Sequence, residues 1–100
     1  MRFKILKYAI VDDEILNAVN YYASISPALG LKFEDNIEKA LDELEKNPEN
    51  YFNLEDKKHR RIIIDKFPYA LIYCVDNDSV ILKMLFPLLK NPGKLWIGIR

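Results

Sequence analysis

Apolar and polar residues alternate through residues 2 to 8, with Phe3, Ile5 and Lys7 on one side and Lys4, Leu6 and Tyr8 on the other. That two-residue period predicts a strand. The period then lengthens. Ile15, Leu16, Val19, Tyr22 and Ala23 recur at helical spacing, which predicts an amphipathic helix over residues 13 to 25. Asp12 or Asp13 is its expected N-cap, and Glu14 suits its first turn. Ser26-Pro27 breaks the pattern. Serine caps and proline opens a second helix, because proline's missing N–H costs nothing at a first helical position.

The second helix collects Phe33, Ile37, Ala40, Leu41 and Leu44 on one face, and Lys32, Glu34, Asp35, Glu38, Lys39, Asp42 and Glu43 on the other. Asp35 with Lys39, and Asp42 with Lys46, place an acid four residues before a base, the favourable order, whereas Glu38 and Asp42 repel. Asn47-Pro48 ends the helix. So short a joint between two helices predicts an antiparallel hairpin.

After a loop over residues 49 to 57, with Tyr51 and Phe52 as aromatic anchors, strand-like runs follow at His59 to Phe67, Tyr69 to Val75 and Ser79 to Phe86. The β-branched run Ile62-Ile63-Ile64 and the turn Asp76-Asn77-Asp78 support them. Their short joints predict an antiparallel meander. The tail from Lys90 to Arg100 is irregular and ends in an apolar stretch expected to pack or pair. The resulting order is strand-helix-helix-strand-strand-strand. It defines an α+β fold, a helical hairpin packed on a small, mainly antiparallel sheet.

One hundred residues, half of them hydrophobic and 30% charged, fit one globular domain spanning 1–100. No apolar run approaches the ~20 residues of a membrane span. Residues 1 to 8 lack a signal-peptide core, so a cytoplasmic location is expected. Cys74 is the only cysteine, lies in an apolar run and reads as a small buried hydrophobe. His59 is the only histidine, sits between Lys58 and Arg60, and has no identifiable triad partner. One His and one Cys make no zinc site, and no cofactor is expected.

The formal net charge is zero but uneven. Residues 1 to 54 hold six basic and ten acidic residues, a balance of −4, and residues 55 to 100 hold nine and five, a balance of +4. A basic surface on a neutral protein follows. It falls short of the pI above ~9 of a dedicated nucleic-acid binder.

Several phrases, in order, resemble the RelE/ParE toxin superfamily, and its ParE-like branch in particular. They are Tyr21-Tyr22, Ser26-Pro27-Ala28-Leu29-Gly30 with Phe33, then Ala40, Leu44 and Asn47-Pro48, then Arg60-Arg61, then Phe67-Pro68-Tyr69 with Ile72-Tyr73, and finally Pro92, Trp96 and Arg100. The resemblance implies the toxin of a type II toxin-antitoxin system, held inactive by a cognate antitoxin whose C-terminal segment wraps it. One branch cuts mRNA on the ribosome; the ParE branch poisons DNA gyrase.

RNA cleavage needs a base for the 2′-hydroxyl, an acid for the leaving oxygen and cations for the phosphorane. Lys57, Lys58, Arg60, Arg61, Lys66, Tyr69, Lys90 and Arg100 supply candidates. The nuclease branch, however, usually follows the first tyrosine of its Tyr-x-Leu-x-Tyr strand with arginine, and this chain has Ala70 there. Pro87 and Lys90 stand where many relatives carry a histidine and an arginine. These departures argue against ribonuclease activity and favour action by protein binding, to gyrase before ribosome or mRNA. A non-toxic relative that only binds a partner is the third reading, favoured by Pro87 and the apolar tail.

Arg60, Arg61, Lys66, Tyr69, Lys90, Trp96 and Arg100 are the candidates for target or antitoxin binding. Only one of Arg60 and Arg61 can face a given surface, since neighbours on a strand point opposite ways. Trp96 is either a contact anchor or a plug for the core. Leu85 to Leu89 is the expected apolar partner surface.

Overall fold

The computed structural model describes residues 2–88. Strand β1 (Lys4–Lys7) leads into helix α1 (Ala9–Ile25) and helix α2 (Pro27–Lys46). A short 3₁₀ turn, Pro48–Asn50, and a loop then reach β2 (His59–Ile63), β3 (Tyr69–Asp76) and β4 (Ser79–Pro87). The sheet order is β1-β4-β3-β2. β2, β3 and β4 form the expected antiparallel meander, and β1 adds to β4 in parallel, with Lys4 opposite Ser79 and Lys7 opposite Leu82. Among the described residues no helix is long and apolar enough to cross a membrane.

Helix α1 begins four residues before the expected start, and neither Asp12 nor Asp13 is its N-cap. That position belongs to Tyr8, whose extended backbone donates its N–H to the Leu82 carbonyl at 3.1 Å. Val11 explains the early start. Its side chain is fully buried in the core, which draws residues 9 to 12 into the helix. Asp12 sits in the first turn, where an acid complements the helix dipole, and pairs with Lys7 at 2.8 Å.

Ser26 is the single residue between the helices, and Pro27 opens α2 as expected. The Ser26 side chain makes no capping bond; its backbone N–H instead donates to the Tyr22 carbonyl at 3.0 Å. Just beyond the joint Gly30 lies against Ala23, so close that a Cβ there would stand 2.8 Å from the Ala23 Cβ. Asp42 and Lys46 form their expected pair at 3.0 Å. No such contact joins Asp35 to Lys39 among the described residues.

The hairpin covers one face of the sheet. Val11, Ala18, Phe33, Ile37 and Leu44 from the helices meet Ile62, Leu71, Tyr73, Val80, Leu82 and Leu85 from the strands. Burial at this scale contributes roughly 1.5–3 kcal/mol per large side chain. The Tyr73 hydroxyl reaches through this core and donates to the Pro48 carbonyl at 2.5 Å, fastening the end of α2 to β3. Burial pushes the Tyr73 hydroxyl well above the ordinary tyrosine range. Asn36, the buried polar residue of α2, donates to the Asp65 carbonyl at 3.1 Å and holds the β2–β3 turn.

β2 stops at Ile63 instead of continuing to Phe67. The ladder closes with the Ile64 N–H on the Tyr69 carbonyl, and Lys66 then takes a left-handed φ of 68° to turn the chain. β4 carries an irregularity that changes its faces. Ile72 opposes Met84 but Tyr73 opposes Leu82, so Lys83 is an extra residue. Val80 and Leu82 before it and Leu85 after it therefore all point into the main core. Leu85 is 4% exposed, which removes it from the expected partner surface. Met84 and Phe86 turn the other way, joining Leu88, Leu54, Ala70 and Ile72 in a second, smaller apolar cluster that contains no helix residue.

Candidate functional site

At the edge of the sheet formed by β2, the loop before that strand folds back along it, with Asn53 bridging antiparallel to Arg60. The Arg61 N–H donates to the Phe52 carbonyl at 3.1 Å, and the Leu54 N–H to the His59 carbonyl at 2.9 Å. Asp56 fixes the turn between them. Its carboxylate accepts the backbone N–H groups of Lys58 and His59, each at 2.9 Å, and the His59 Nδ1 lies 2.7 Å from it. These bonds hold the Asp56 carboxyl down to about 2. His59 therefore has a partner after all, three residues away, which spends the imidazole on the turn.

Phe52 is 60% exposed, and the Arg61 guanidinium stands over its ring at 4.8 Å. With Asn53, Leu54, Glu55 and Lys57 they line an open cleft of about 560 Å³. Leu54 is the apolar lining residue beside Phe52, and it packs beneath the cleft against the buried Ala70 and Ile72. Arg60 points to the opposite face, as strand alternation requires, and donates to the carbonyls of Glu49 at 3.2 Å and Tyr51 at 2.8 Å. It holds the loop in place and Arg61 faces the cleft.

The other candidates fall elsewhere. Lys66 is exposed in the β2–β3 turn. Tyr69 lies on the helix side, its ring 5.4 Å from Phe33 and 6.2 Å from Tyr22. Burial and the neighbouring Tyr69 raise the Tyr22 hydroxyl above the ordinary tyrosine range. Lys90, Trp96 and Arg100, with Pro92, lie outside the described residues. Ala70, where the nuclease branch usually has arginine, is fully buried.

A second cleft, of about 510 Å³, opens between α1 and the ends of β3 and β4. Glu14, Asn17, Ala18 and Tyr21 form one wall, and Tyr69, Leu85 and Pro87 the other. Sequence reading placed Glu14 only in a first helical turn and passed over Phe52 as a partner for Arg61. The spacing of Glu14, Asn17 and Tyr21 along one flank of α1 was the available sign of the second cleft; nothing local marked the first.

A helical hairpin on a four-stranded sheet, with β1 parallel to β4, is a fold found in toxins of toxin-antitoxin systems. The family model of the ParE toxin of type II toxin-antitoxin systems matches residues 9–85, and the chain belongs to that family. Among solved structures it is similar to a chain of the chromosomal ParDE TA system from P. aeruginosa, with a TM-score of 0.73 at 12% identity. That likeness covers 86% of this chain and 96% of the other. No curated protein matches the sequence.

Proposed function

We propose that this member of the ParE toxin family inhibits bacterial growth in the cytoplasm by binding a protein target, DNA gyrase, and that a cognate antitoxin neutralises it. One observation carries the reading. Arg61 is stacked on the exposed Phe52 ring in an open cleft that Leu54, Glu55 and Lys57 also line. Arginine and aromatic residues are the types that dominate protein interfaces. Ala70 gives further support, because a sealed methyl group offers neither a proton nor a charge to a phosphoryl transition state. The antitoxin, by family resemblance, contributes a C-terminal segment that wraps the chain; acidic side chains in it would complement Arg61 and Lys57.

The test is tightly regulated induction in a bacterial culture, beside a fold-disrupted control at matched expression. Growth arrest with filamentation and DNA-damage signalling is expected, together with loss of supercoiling by purified gyrase. Co-expression of the antitoxin should restore growth, and Arg61→Ala should weaken arrest. Translational arrest with cleaved mRNA would overturn the gyrase reading in favour of the nuclease branch. Normal growth with abundant folded protein and a susceptible gyrase would leave a binding module without toxicity.

A further inference from the structure

The cleft between α1 and the ends of β3 and β4 is separate from the Phe52–Arg61 surface, and its chemistry has the opposite sign. Among the described residues, Glu14 is the one charged residue that lines it. One oxygen of that carboxylate accepts the Leu85 N–H at 2.9 Å. This bond orients the group but uses only part of its capacity, since a carboxylate can accept about four hydrogen bonds. No cation pairs with Glu14 among the described residues. The nearby lysines are otherwise engaged: Lys7 pairs with Asp12, and Lys83 donates to the Tyr8 hydroxyl. Helix α1 carries Asp12, Asp13 and Glu14 and no basic residue at all.

Two aromatic rings line the same cleft. Tyr21 is 58% exposed, yet its ring is set edge-on against Tyr22 at 5.1 Å. Tyr69 is held against Phe33 and Tyr22. Both rings are therefore positioned before any ligand arrives, which lowers the ordering cost of binding. Asn17 adds an amide to the same wall.

The ligand class follows by elimination. An anion would meet the Glu14 charge. An apolar group would strip water from that carboxylate with nothing to replace it, and burying an unpaired charge is costly. A cation satisfies the carboxylate and rests on the tyrosine faces. A planar guanidinium does both at once, since it stacks on rings and presents a fork of donors to a carboxylate. We propose that the cleft lined by Glu14, Asn17, Tyr21 and Tyr69 receives an arginine side chain of a protein partner. The cleft's ligand chemistry holds whether or not the chain inhibits growth.

N-acetyl-arginine amide is the probe, titrated into the full chain while backbone amides are followed by NMR. Saturable shifts are expected at the Leu85, Asn17 and Tyr21 amides, with the core amides of β3 unmoved. The citrulline analogue, which has the same shape without the charge, should give no saturable shift. Glu14→Gln keeps an acceptor for the Leu85 N–H and removes the charge, so binding should weaken about fivefold or more. Tyr21→Leu keeps the charge, removes an exposed ring and should weaken it also, which covers the case in which Glu14→Gln fails to fold. Equal binding of the citrulline analogue, unchanged affinity in folded Glu14→Gln, or no saturable shift with the arginine probe would each overturn the assignment. Growth arrest with no arginine binding would overturn the cleft alone; arginine binding without arrest would overturn the growth-inhibition reading alone.

Discussion

Tyr73 shows how much a single atom can secure. Its hydroxyl spans from β3 to the Pro48 carbonyl, and both residues are fully buried. Tyr73→Phe keeps the ring and strands that carbonyl, so a loss of about 1–3 kcal/mol is expected. Urea unfolding should show a lower midpoint at unchanged slope. Asp56 is the corresponding residue at the surface. Its hydrogen bonds to His59 and Lys58 hold the carboxyl at about 2, below the ordinary 3.8. A depressed value means that the contribution to stability is complete above the ordinary value and is lost as pH falls toward 2. Carboxyl NMR should find the Asp56 midpoint near 2, and in Asp56→Asn the part of the acid unfolding profile between those two values should flatten. A midpoint at 3.8 would mean that the turn does not hold in solution. Neither residue announces itself in the sequence, because each acts on a partner fixed by the fold: Pro48 lies on another element, and His59 reaches Asp56 only after the loop has turned.

Among the elements, the hairpin sets the sharpest conflict between local preference and packing. Alanine is the better helix former by about 1 kcal/mol, and Gly30 lies inside α2. Yet its hydrogen faces Ala23 where a methyl group would be 2.8 Å away. Overpacking costs about 1–3 kcal/mol. Gly30→Ala should therefore lower the thermal midpoint, and adding Ala23→Gly should not restore it, because the Ala23 Cα and N would still lie 3.0 and 3.1 Å from the new methyl group. The second helix was legible from periodicity, since its Phe33 to Leu44 face is apolar, and the meander from its strand-like runs, the Asp76-Asn77-Asp78 turn and short joints. The start of α1 was not. Ala9-Ile10-Val11 follows a strand without a capping residue between, and only the burial of Val11 shows where the helix begins. The irregularity at Lys83 was equally hidden. It shifts Leu85 to the core face through pairing with β3, and pairing is not a property of β4's own sequence.

At the scale of the whole molecule, the two clefts divide the charge halves read from the sequence. Glu14 comes from the acidic half, and Arg61 and Lys57 from the basic half. The sequence showed the basic half and placed Arg61 among the binding candidates, but not its aromatic partner, nor the carboxylate cleft beside α1. Candidate residues adjacent in the chain were also separated: Arg60 anchors the loop, and Arg61 faces the cleft. If Arg61 serves association through charge, the on-rate for an acidic partner should fall in Arg61→Gln and with rising salt. An unchanged rate in stopped-flow would remove charge from the recognition.

Parallel pairing of β1 with β4 also has a temporal side. Tyr8 and Lys83, 75 residues apart, meet across the sheet. Translation proceeds at roughly 5–20 residues per second, so the first strand waits several seconds for its neighbour to be made. Until then the emerging polypeptide lacks a completed sheet, and any activity that needs the finished surface is withheld. Nascent chains stalled after Asp76 should be cut rapidly by protease, and those extended past Pro87 by a linker long enough to bring β4 out of the ribosome should resist it. Manufacture and action are thus separated in time by the order in which the strands are joined.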